Sequence, residues 1–107
     1  MSDERKVSTS IQHFRLYRAA GSGSVASSIW QGGDEVRGWS YQFNLFQMPS
    51  ATGRASHLFQ PEDLVPLLRV CRELAQLLAE APAMDPVMQH QLDGVAARLK
   101  ILLRTET

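Results

Sequence analysis

Arg15, Arg18, Arg37 and Arg54 are spread among the rings of Tyr17, Trp30 and Phe46 and the amides of Gln42 and Asn44. A guanidinium pairs with anionic oxygens, an aromatic face stacks on a flat heterocycle, and an amide both donates and accepts at a polar edge. Cations along a backbone track, interleaved with rings for the bases, are what sequence-tolerant binding of a single nucleic-acid strand requires. The charge balance works against a strong version of this. Eleven Lys and Arg against eleven Asp and Glu give a formal net charge of zero, so phosphate contacts must come from a local patch rather than a broad positive field.

Catalytic chemistry finds less to work with. His13, His57 and His90 fall on three separate segments without metal-ligand spacing, and the single Cys71 permits neither an internal disulfide nor a multi-thiolate zinc site. "GSGS" and "QGGDE" lack the Lys and the Ser or Thr of a phosphate loop, and acids gathered in loops and at helix starts single out no general acid and base. The expectation is a non-enzymatic protein without metal or cofactor. Cys71 reads as a small hydrophobe on the apolar side of a helix.

The elements that would carry these residues follow from periodicity. Gln12 to Arg18 alternates as a strand, and "AAGSGS" supplies a bend or bulge. In the next strand Val25, Ser27 and Ile29 alternate with Ala26, Ser28 and Trp30, with Val25 and Ile29 expected inside. "QGGDEVRG" reads as a loop. Beyond it Trp39, Tyr41, Phe43 and Leu45 share one face and are expected to cover the core under a helix, leaving Ser40, Gln42, Asn44 and Phe46 outward. "MPSATG" turns the chain into a short fourth strand, Arg54 to Phe59.

A helix start comes next. Gln60 stands at the cap of "FQPEDLVPLL", Pro61 at the first helical position, and Glu62 and Asp63 in the first turn, where acids oppose the helix dipole; Phe59 and Leu64 are placed for a hydrophobic staple. Leu64, Leu68, Cys71, Ala75 and Leu78, flanked by Leu67, Leu74 and Leu77, form its apolar stripe. "EAPAMDP" ends that helix, and Asp85 and Pro86 open another whose stripe runs from Val87 or Met88 through Leu92, Val95, Leu99 and Leu102. Four strands followed by two helices predict an α+β domain: a four-stranded antiparallel curved sheet, a long helix and an additional C-terminal helix.

"GSVASSIW", "WSYQFNLFQ" and "SHLFQPEDLVPLLRVCRELAQLL" occur in that order. Together the stretch from Phe14 to Leu78 resembles the single-stranded-DNA-binding fold shared by the transcriptional coactivator positive cofactor four, the plant Whirly proteins and small bacterial and phage relatives. The resemblance implies a homodimer whose sheet faces outward to single-stranded DNA or RNA; the residues that their own chemistry offers for that binding are Arg15, Tyr17, Arg18, Trp30, Arg37, Gln42, Asn44, Phe46 and Arg54. It also implies pairing of the first helix between subunits, assigned to Leu68, Cys71, Leu74, Ala75 and Leu78; the stripe of the second helix, expected to pack on Leu67, Leu74 and Leu77 of its own chain or of a partner subunit, adds Leu92, Val95 and Leu99 to that interface. Two departures stand out. No basic residue follows the aromatic strand until Arg54, which favours the alternative of a protein-interaction module that keeps the fold, and the second helix has no counterpart in the compact relatives. The expected organisation is a tail over 1–10, the sheet and first helix over 11–82, and an accessory helix over 83–107. No apolar run is long enough for a bilayer, and the acidic start "MSDERK" does not fit a signal peptide, so a cytoplasmic protein with no membrane partner is expected.

Overall fold

The computed structural model describes residues 14–48 and 55–104. A four-stranded antiparallel sheet is followed by two helices. Strands β1 (Phe14–Ser22) and β2 (Val25–Asp34) form a hairpin joined by Gly23 and Ser24. Gly23 has a φ of 59°, the left-handed conformation a two-residue hairpin turn needs at its first central position. Strand β3 (Gly38–Phe43) pairs with the other edge of β2, and β4 (Phe46–Gln47) continues along that same edge.

Four boundaries differ from the periodicity reading. The bend expected in "AAGSGS" is confined to its last two residues, Gly23 and Ser24, while Ala19 to Ser22 stay within β1, and a bulge falls earlier, between Leu16 and Arg18. Gly32 and Gly33 are strand residues opposite Ser40 and Trp39, so only residues 35–37 turn, held by Asp34 Oδ1 accepting from the backbone N–H groups of Val36 and Arg37. The aromatic strand breaks at Asn44 and Leu45. Of the expected strand at Arg54 to Phe59, Arg54 lies outside the described residues and only Ser56 bridges, to Gln47, so the fourth strand of the sheet is β4.

Val25 and Ile29 are fully buried, as expected, and Ser27 between them is also buried, so this face of β2 lies in the core. Against it lies helix α1 (Leu64–Ala79), entered through a 3₁₀ turn at Pro61–Asp63. Val70, Leu74 and Leu78 of α1 join Ala20, Val25 and Ile29 in one apolar cluster. Val70 lay outside the predicted stripe, whereas Leu64 is 59% exposed and makes no effective staple, because the helix turns Val70 rather than Leu64 toward the sheet.

Helix α2 (Pro86–Arg104) starts at Asp85, whose Oδ2 accepts the N–H of Met88, and packs alongside α1 of the same chain. Its buried residues are Ala96 and Leu103, with Leu92 against the core cluster; Val95 and Leu102 are 46% and 49% exposed. Leu92 and Leu99 of the predicted stripe thus turn inward as expected, whereas its Val95 and Leu102 give way to the neighbouring Ala96 and Leu103. The Cα envelope, 54 × 39 × 16 Å, is two layers thick, sheet and helices.

Candidate nucleic-acid interface

Because side chains alternate along a strand, burial of Val25, Ser27 and Ile29 under α1 turns Ala26, Ser28 and Trp30 to the opposite, open face. Register then assembles a surface around Trp30. Leu16 of β1 lies opposite it on one side and Gln42 of β3 on the other. One step along, Phe14 is opposite Gly32 and Ser40 faces the same glycine from β3. The Phe14 ring lies directly on Gly32: a Cβ at that position would stand 2.9 Å from Phe14 Cε2 and Cζ. Toward the other end Phe46 pairs with Ala26.

The open face thus carries three rings, Phe14, Trp30 and Phe46, with Leu16 between the first two. Trp30 is 36% exposed and Leu16 56% exposed, so both apolar groups meet solvent. Gln42 and Ser40, also exposed, supply donors and acceptors beside them. Phe14 and Leu16 were not singled out from sequence. The signal that could have found them is hairpin register with Trp30, but the bulge beyond Leu16 hides that register from simple counting.

Other expected residues stand elsewhere. Tyr17 is half-buried on the helix side, its ring 5.7 Å from that of Tyr41 and tilted by 58°; the bulge has carried it away from the open face. Arg18 lies with it, its guanidinium carbon 5.7 Å from the Tyr17 ring centre. Arg15 is exposed opposite Gln31, whose amide donates to the hydroxyl of Tyr41, again on the helix side. Arg37 is exposed at the tip of the β2–β3 hairpin and paired with Asp34 at 3.8 Å. Asn44 is committed: its Oδ1 accepts the backbone N–H of Ser28 at 2.9 Å, bridging the break between β3 and β4. Arg54 lies outside the described residues.

The residues assigned to helix pairing divide similarly. Leu74, Ala75 and Leu78 are buried within the chain's own core and helix contact, Leu68, Cys71, Leu92 and Leu99 are half-buried, and Val95 is exposed. Burial pushes the Cys71 thiol above its usual range, which suits a packing role. Phe43 corrects a further expectation. It shares the inner face with Ile29 yet is 52% exposed, because α1 lies over β1 and β2 and leaves the end of β3 uncovered.

One charged group governs how the sheet meets the helix. Asp63 is 4% exposed and accepts three hydrogen bonds from separate parts of the chain: Gln60 N–H at 2.8 Å, Ser24 Oγ at 2.6 Å and Gln47 Nε2 at 2.9 Å. Its carboxyl is held below the usual carboxylate range, first by the Gln60 amide and then by the Ser24 hydroxyl. Sequence reasoning gave Asp63 only a dipole role. The geometry makes it the joint between the β1–β2 turn, β4 and the entry to α1.

No family model, curated protein or solved structure matches the chain.

Proposed function

We propose that this chain is a small nucleic-acid-binding protein that takes a single strand across the open face of its sheet. The observation that carries the reading is the ring set Phe14, Trp30 and Phe46 on the face opposite both helices, with Gln42 and Ser40 beside them. Bases of a single strand can stack on such rings irrespective of sequence, whereas the bases of a duplex are already stacked and unavailable. Arg15 and Arg18 start from the helix side of the edge strand β1 and Arg37 from the hairpin tip, none from the open face itself, so stacking rather than charge supplies most of the affinity. In this reading the protein works in the cytoplasm as a homodimer, for which the exposed apolar residues Val95 and Leu102 of α2 offer the surface.

The test is fluorescence anisotropy of a labelled single-stranded oligonucleotide at several salt concentrations, with duplex as competitor. Two or three phosphate contacts predict a slope of log K against log salt of only about −1.5 to −2. Saturable binding with that shallow slope and a preference for single strand supports the proposal; equal affinity for duplex, or no binding, removes it.

A second reading is favoured by one observation: the named residues of the open face include no cation, and Leu16 and Trp30 are apolar and exposed. A protein partner would suit that face as well as a base does. Partner binding that buries Trp30 while oligonucleotides fail would select it.

A further inference from the structure

Where β3 passes the connection between the helices, the surface folds into a recess of about 360 Å³, away from the open-face rings. Trp39 and Tyr41 supply aromatic walls, Met84 and Met88 thioether walls, and Ser40 and Asp85 the polar groups. The Tyr41 hydroxyl is already used: it donates to the Pro82 carbonyl at 2.8 Å and accepts from Gln31. Asp85 uses Oδ2 to cap α2, and its Oδ1 has no hydrogen-bond partner among the described residues. Asp85 is also the one charged residue among the described residues that line the recess.

Apart from Ala83, the walls of this recess are electron-rich. Indole and phenol faces attract cations through their quadrupoles, thioether sulfurs are polarisable, and the carboxylate adds a full negative charge. A flat, delocalised cation fits such walls better than a compact ammonium, because it stacks on an indole while donating to a carboxylate in the same plane, and it sheds water more readily. We propose that the recess receives the guanidinium of an arginine side chain presented by a protein partner, stacked on Trp39 and hydrogen-bonded to Asp85. The site shares only Ser40 with the open face and none of its rings, so arginine binding at Trp39 and Asp85 is tested apart from nucleic-acid binding.

The test uses the full chain and follows the two tryptophan indole N–H signals by NMR, with Trp30→Phe to assign them. The probe is N-acetyl-arginine methylamide, with the lysine and norleucine analogues as controls. The expected result is a saturable shift of the Trp39 signal with half-saturation in the millimolar range, and a still Trp30 signal. Asp85→Asn, which retains a favoured helix cap and removes only the charge, should weaken binding about fivefold or more. The lysine analogue should bind several-fold more weakly and the norleucine analogue not at all. No saturable shift at about 100 mM probe, an unchanged affinity in Asp85→Asn, or equal binding of arginine and lysine analogues would each overturn the proposal.

Discussion

Asp63 and Ser27 are two buried polar side chains with opposite fates, and each gives a prediction. Asp63 accepts from Gln60, Ser24 and Gln47, so its charged form is favoured by folding. A carboxyl whose pKa is lower in the folded state adds stability at pH values above its unfolded value; that contribution is lost as pH falls through the lower folded value. Asp63→Asn should therefore lower the melting temperature by several degrees at neutral pH and flatten the loss of stability below about pH 4, both read by thermal melts across pH. Ser27 is 1% exposed and its hydroxyl has no partner among the described residues. Ser27→Ala should raise stability by about 1 kcal/mol, seen as a higher urea midpoint, because a buried hydroxyl without a hydrogen bond opposes folding. The inward turn of Ser27 was legible from alternation with Val25 and Ile29. The role of Asp63 was not, since it depends on Ser24 and Gln47, which only the folded chain brings to the helix start.

Element by element, alternation located the strands well and their interruptions poorly. The inward row of β2 and the Asp85 cap of α2 follow directly from residue type and spacing. The bulge beyond Leu16, the break at Asn44 and the exchange of Val95 and Leu102 for Ala96 and Leu103 in the α2 contact come from pairing with other elements, which local periodicity does not contain. Gly33 makes the point testable. Its place in "QGGDEVRG" predicts a loop, yet it is a strand residue with a φ of 93°, and a Cβ there would fall 2.1 Å from the Gly38 carbonyl oxygen. Gly33→Ala should cost about 3 kcal/mol and shift the β2–β3 pairing, visible in chemical denaturation and in loss of amide protection around Trp39 to Tyr41. Unchanged stability would mean that the hairpin is not paired as described.

At the scale of the molecule, strands then helices gave the α+β class, and the segregation of both helices to one side leaves a full sheet face open. The α2 surface adds a second open region. Val95 and Leu102 are 46% and 49% exposed, beside rather than within the intrachain contact made by Ala96 and Leu103. If the proposed dimer uses this surface, Val95→Asp should halve the mass measured by light scattering while leaving the melting temperature of the protomer within a few degrees, because the charge becomes unpaired and buried only in the dimer. Leu99 is a poorer probe, being half-buried within the chain. The central claim concerns the other face. Backbone and indole NMR signals recorded during titration with a short single-stranded oligonucleotide test it most directly: the account predicts shifts concentrated at Phe14, Leu16, Trp30, Gln42 and Phe46, with Tyr17, Tyr41 and both helices unmoved, whereas shifts centred on the helix side, or none at saturating oligonucleotide, would contradict it.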